Sequence, residues 1–251
     1  MIQRDKREGG AVLRIVLDAP KANILDSAMI RAIGGALEAD VEAGTKLIVF
    51  EGAGKHFCFG ASVEEHRRDA APAMLAAFHG LFRQLARLAV PTCAIVRGQC
   101  LGGGLELAAY CTFLVATPEA RLGQPEIKLA VFPPMASLLL PWRLGGGAAL
   151  DLCVTGRSVD AAEAQRMGLV NAVTDDPEAW VSALFAESLR PTSASSLRFA
   201  ERAARADLMR RLERDLPELE RLYLDELMTT HDANEGIAAF LERRAPQHRN
   251  A

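Results

Sequence analysis

The sequence predicts an α/β fold built on a largely parallel sheet, and three observations predict it. Short apolar runs rich in Val, Ile and Leu alternate with longer stretches whose apolar residues recur at helical spacing. Glycine-rich turns close several of the strand-like runs, where a crossover helix would begin. Half of the 251 residues are hydrophobic, ample for a packed core.

The elements follow in order. "AVLRIVLDAP" reads as a strand ended by Pro20, and "DSAMIRAIGGALEADVEAG" as a helix capped by Asp26. "KLIVFEGAGKHFCFG" is a buried strand and then a loop. "MLAAFHGLFRQLARLAV" is an amphipathic helix stopped before Pro91, and "TCAIVRGQCLGG" is strand then glycine loop. "CTFLVATPEARLGQPEI" gives short strands and turns. Composition shifts near "LRPTSASS", and beyond it only helical patterns occur. We therefore divide the chain into a body, residues 1–190, and a helical region, residues 191–251. In the last helix Asp232 and Glu235 have the spacing of a capping box, with Ile237, Phe240 and Leu241 as its apolar face. No repeat at a solenoid period is found.

Composition excludes several classes. The formal net charge is −3 with both signs mixed, and no basic block suggests nucleic acid. "MIQRDKREGG" lacks the apolar core of a signal peptide, and no apolar run reaches the roughly 18 residues of a membrane span. The five cysteines are odd in number and form no CxxC, against a disulfide framework or zinc site. A soluble cytoplasmic protein with reduced core thiols is expected.

The glycines do not fit phosphate motifs. "LIVFEGAGKH" fails the P-loop pattern, because Lys55 is followed by His56 and Val49 stands where its first glycine should be. "GGGLEL" and "GGGAAL" fail GxGxxG, and "GASVE" fails the serine-hydrolase elbow. What "CLGGGLELAAYC" can do is bare backbone N–H groups at a helix N-terminus, half of an oxyanion hole. The second candidate is "FCFGASVEEH". There Gly60 frees the backbone, Ser62 and Glu65 have capping-box spacing, and the N–H of Ala61 is left available.

Two acids stand in apolar surroundings. Glu106 lies among Leu and Ala, and Glu126 follows Pro125 in "RLGQPEIKLAVFPP". Together at an oxyanion hole, one carboxylate can take a proton from water while the other gives one to carbon. Repulsion and desolvation would raise at least one pKa and separate the roles.

"FCFGAS", "GQCLGGGLELA" and "RLGQPEIKLAVFP", in this order and spacing, resemble the crotonase (enoyl-CoA hydratase/isomerase) superfamily. "LDAPKANILDSAMI", "GGGAALDLCVTGRSVDAAEAQRMGLVNAV" and "EGIAAFLERRAP" extend the resemblance over nearly the whole chain. It implies a spiral of ββα units with a C-terminal helical trimerisation region, a trimer or a dimer of trimers, and acyl-CoA thioesters as substrates. The thioester oxygen would sit between the N–H groups of Ala61 and Gly103. Glu106 and Glu126 match the hydratase acids, the first activating water and the second protonating the α-carbon. No metal or redox cofactor is implied; coenzyme A belongs to the substrate. Lys55 matches a position near the CoA phosphates, and Phe240 with Arg243 or Arg244 matches a neighbour's terminal helix contacting CoA.

Two departures are visible. Ser62 stands where hydratases usually carry Asp. "FPPMAS" replaces the usual glycine-rich turn, so Phe132, Pro134 and Met135 should reshape the pocket with a stiff apolar wall. "CFGASVEEH" with "FPPMAS" most resembles the subfamily that hydrates cyclohexa-1,5-diene-1-carbonyl-CoA to a hydroxycyclohexene-carbonyl-CoA. Hydration or isomerisation of a linear trans-2-enoyl-CoA, and acyl-CoA binding without catalysis, are the competing readings.

Overall fold

The structure, a computed structural model, describes residues 1–19 and 21–251. Strand β2 (Val12–Leu17) ends before Asp18; the expected stop at Pro20 lies outside the described residues. The sheet's outer strand is β1 (Ile2–Arg7), antiparallel to β2. It is charged along most of its length, as suits an exposed edge, and its lack of alternating apolar residues hid it from the sequence.

From β2 onward the pairing within this sheet is parallel. Helix α1 (Ser27–Asp40) crosses from β2 to β3 (Leu47–Gly52), and α2 (Ala71–Leu88) from β3 to β4 (Thr92–Val96). Asp26 caps α1 as expected, accepting the Met29 N–H at 2.7 Å. Helix α2 stops at Ala89, which adopts a left-handed conformation just before Val90 and Pro91.

After β4 the chain changes sheets. A three-residue strand β5 (Gln99–Leu101) leads into α3 (Gly103–Tyr110), then β6 (Phe113–Ala116) returns to the main sheet beside β4. The next turn repeats this with β7 (Arg121–Gly123), which pairs with β5. A 3-10 helix (Pro125–Leu129), α4 (Pro134–Leu144), α5 (Gly146–Thr155), β8 (Ser158–Asp160), α6 (Ala161–Arg166) and β9 (Ala172–Val173) complete the body. The large sheet has the order β1-β2-β3-β4-β6-β9 and the small one β5-β7-β8, in which β7 and β8 pair antiparallel. Isolated bridges Cys58–Cys100 and Leu25–Ala61 continue the small sheet. Each turn thus gives one strand to each layer and then a helix, which is the expected ββα spiral.

After β9 the regular elements are helices: α7 (Pro177–Leu184) at the end of the body, then α8 (Ala194–Ala204), α9 (Ala206–Arg221) and α10 (His231–Leu241) in the C-terminal part, with π-turns at Phe185–Leu189 and Leu222–Glu226. The C-terminal part packs on its own body. Leu208, Leu212 and Leu216 of α9 join the core formed by the sheet and α1 to α5. Tyr223, Met228, Ala233 and Ile237 close over Ala71, Met74, Leu75 and Val131. Among the described residues no helix is long and apolar enough to cross a membrane.

Two capping expectations fail. Helix α10 is capped by Thr230, whose hydroxyl accepts the Ala233 N–H. Asp232 instead accepts the N–H groups of Arg249 and Asn250, both at 2.7 Å, and the Arg249 N–H, the His231 side chain and the Asn250 N–H hold its carboxyl down at about 2. Phe240 is 56% exposed, so it leaves the apolar face predicted for α10. Ser62 and Glu65 make no capping box, because only a three-residue 3-10 turn (Glu64–His66) forms there. Glu65 turns to α1, accepting the Ser27 N–H at 3.0 Å and its hydroxyl at 2.9 Å.

Candidate active site

Two loop–helix junctions meet at the site. Gly102 precedes α3 with φ +52°, a conformation that side chains rarely adopt. A Cβ there would also lie 2.6 Å from Glu126 Oε1. One residue on, a Cβ at Gly103 would lie 3.1 Å from the Ala61 nitrogen. Bare backbone is therefore what lets the Ala61 loop approach the start of α3. Among the described residues neither the Ala61 nor the Gly103 N–H finds an intramolecular acceptor. The first N–H groups of a helix have no partner within it, which accounts for Gly103, and both N–H groups are left able to meet an oxygen.

The Ala61 loop is anchored from below. Asn23, buried, accepts the Ala19 N–H and donates to the carbonyls of Ala53, His56 and Phe57 at 3.0–3.2 Å. Cys58, also buried, lies under α3 against Gly104.

Both acids reach the same space. Glu106, in the first turn of α3, is 5% exposed, and its Oε1 accepts the Ala136 N–H at 2.7 Å. Burial first, and the charge of Glu126 second, push its pKa well above the usual carboxylate range. Glu126, on the 3-10 helix after β7, takes a 3.1 Å hydrogen bond from Gln124 Nε2 on its Oε1. Its Oε2 is sealed from solvent and, among the described residues, has no partner. Burial raises this carboxyl too, against the lowering effect of its own N–H and of Gln124. Ala61, Gly103, Glu106 and Glu126 line one cavity with His66, Phe78, His79, Phe132, Pro133, Pro134 and Tyr223. Its volume is about 20 Å³, room for one water. A larger cavity of about 480 Å³ lies between α2 and α8–α9 and contains none of the four predicted groups.

The remaining predicted residues divide. Phe132 and Pro134 line the cavity. Met135 does not: it is 1% exposed and points into the core and the larger cavity. The reason is that "FPPMAS" is no turn. Pro133 is the N-cap and Pro134 the first residue of α4, where a missing N–H costs nothing, and helical spacing turns Met135 away. Lys55 is exposed on the loop after β3, outside the cavity lining. Phe240 and Arg243 are exposed and stand off this chain's own cavity. Arg244 is held by Glu235 at 2.5 Å and Glu242 at 2.6 Å.

Sequence reasoning missed Gln124, His66 and Tyr223. Gln124 could have been found, since it flanks Glu126 across Pro125. Tyr223 had no local signal beyond being one of two tyrosines. All five cysteines are free, four buried and Cys153 half-buried. Among the described residues no cluster of His, Cys, Asp and Glu is arranged to hold a metal.

The enoyl-CoA hydratase/isomerase family model matches residues 7–251. The cyclohexa-1,5-dienecarbonyl-CoA hydratase of Thauera aromatica is 49% identical over 242 residues, covering 96% of this chain and 94% of that protein. A probable enoyl-CoA hydratase of Mycobacterium bovis is 38% identical, covering 98% and 96%. Among solved structures, a putative enoyl-CoA hydratase from Mycobacterium avium paratuberculosis superposes with a TM-score of 0.86 at 28% identity, covering 98% of each chain.

Proposed function

Since the chain belongs to the enoyl-CoA hydratase/isomerase family and is a hydro-lyase of acyl-CoA thioesters, we propose that Glu106 and Glu126 add one water to a ring, cyclohexa-1,5-diene-1-carbonyl-CoA. The observation that carries the chemistry is the meeting of two carboxyls and two N–H groups, unpartnered among the described residues, in one cavity. The thioester oxygen accepts from Ala61 and Gly103, which stabilise the enolate; losing one such donor typically costs about 10²–10³ in rate. Glu106 takes a proton from water as the water oxygen bonds to carbon. Glu126 gives its proton to the carbon that becomes nucleophilic. One acid gains a proton and the other loses one, so the pair keeps its count and the substrate gains H₂O. The Ala136 N–H at the start of α4 stabilises the Glu106 carboxylate, opposing the larger effects of burial and of Glu126 that raise its pKa. Acid–base addition of this kind calls for no metal or redox cofactor.

The ring is supported by the identity to the Thauera enzyme and by the cavity wall, in which Phe132 meets Tyr223 edge-on at 5.5 Å beside two prolines. Admitting a ring requires that wall to part, because the space is about 20 Å³. The CoA portion would meet Lys55 and, from a neighbouring subunit of a trimer or dimer of trimers, Phe240 and Arg243. The cytoplasm is the compartment that fits a CoA ester.

The test is anaerobic turnover of cyclohexa-1,5-diene-1-carbonyl-CoA beside crotonyl-CoA, with Glu106→Gln and Glu126→Gln. The ring is expected to be preferred, and each variant to lose about 10²–10⁴ in kcat. Preference for crotonyl-CoA would sink the ring; tight binding of both esters without turnover would sink the hydratase.

A further inference from the structure

Tyr223 is 1% exposed, and among the described residues its hydroxyl has no hydrogen-bond partner. Buried polar groups in native chains are rarely left unmet, and an exception calls for a reason. Tyr223 stands on the π-turn Leu222–Glu226, a distortion often found at functional sites. It lines the same cavity as Ala61, Gly103, Glu106 and Glu126. Glu126 Oε2 is also sealed and unpartnered, so the two groups do not satisfy each other. Burial, and then the charge of Glu126, push the phenol's pKa up, which keeps it a donor.

Given the proposed reaction, on which this inference rests, the acyl portion offers little for a phenol to meet. The thioester oxygen is taken by two backbone donors, and the ring carbons bear no polar atom. The oxygen being added is the one polar atom left. We propose that Tyr223 binds that oxygen, donating its O–H to the water before addition and to the product hydroxyl afterwards. A water has two O–H donors and two lone pairs. The donors go to Glu106 and Glu126, one lone pair forms the new bond to carbon, and the other accepts from Tyr223. All four valences are then assigned, and the attacking lone pair is the only one left to react.

Tyr223→Phe removes the hydroxyl and keeps the ring against Phe132. Calorimetric titration with two esters tests the contact: hydroxycyclohexene-carbonyl-CoA, which has the hydroxyl, and cyclohexene-carbonyl-CoA, which lacks it. Tyr223→Phe is expected to bind the first about 10-fold more weakly than wild type and the second equally well. Turnover should fall through kcat with little change in KM. The melting temperature should equal or exceed that of wild type, because the lost group had no partner; a merely structural tyrosine would lower it. Equal weakening toward both esters, or no weakening toward either, would overturn the proposal. If wild type binds neither ring ester, the ring reading fails by itself, and 3-hydroxybutyryl-CoA against butyryl-CoA decides the role of Tyr223 by the same comparison.

Discussion

Glu126 shows what the site costs the fold. Its carboxyl is buried, with one oxygen lacking a partner among the described residues, and its folded pKa is raised above the unfolded value. For an acid, such a shift means that the folded state binds the proton more tightly. The stabilising contribution is complete below the unfolded pKa of about 4.3 and is lost as pH rises through the folded pKa. Glu126→Gln cannot ionise, so it avoids that loss. It is expected to melt near wild type at about pH 4 and above it at about pH 8, by about 2–4 °C for each kcal/mol relieved. Activity moves the opposite way, as is common where a site holds strained or desolvated groups. Thermal melts across this range check the sign; a Tm difference that does not change with pH would show that Glu126 is not held against its ionisation.

At the scale of elements, glycine position decides the outcome of one and the same substitution. Gly35, inside α1, has open space where a Cβ would sit, so Gly35→Ala should stabilise by about 0.5–1 kcal/mol. Gly102→Ala forces a side chain into a φ of +52° and against Glu126 Oε1. It should cost about 1–3 kcal/mol and, by moving an acid, about 10² in turnover. Melting and kinetics of the two variants side by side check this, and a silent Gly102→Ala would mean that the turn does not place Glu126. The acids and glycine loops were legible because each breaks its local pattern: bare backbone where a helix starts, a carboxyl among Leu and Ala. Turn chemistry was harder to read. "FPPMAS" looked like a stiff loop, yet proline suits the first turn of a helix as well as a bend. For α10 the cap expected at Asp232 lies two residues earlier, at Thr230, while Asp232 engages the returning C-terminal tail, a contact that no local pattern reports.

At the scale of the whole molecule, what stayed illegible is what tertiary contact alone creates. Tyr223 lines one cavity with Glu126, about a hundred residues away in the chain, and no periodicity reports that. The exposed end of α10 raises the same issue one level higher. Phe240 is 56% exposed, while Arg243 is exposed next to an Arg244 already engaged with Glu235 and Glu242. If they contact CoA bound to a neighbour, each site joins one subunit's acids to another's terminal helix. Phe240→Ala/Arg243→Glu would then raise KM at least about 10-fold with little change in kcat, the mark of lost uniform binding. Mixing that variant with Glu106→Gln/Glu126→Gln before assembly makes a sharper test. In a closed ring, a site draws its acids and its helix from different subunits. With equal random mixing, about one site in four receives both intact halves, so activity should recover toward about a quarter of wild type although both parents are impaired. Activity no higher than the mean of the two parents would show that every site is built from a single chain, and would return Phe240 and Arg243 to a solvent-exposed surface at the end of α10.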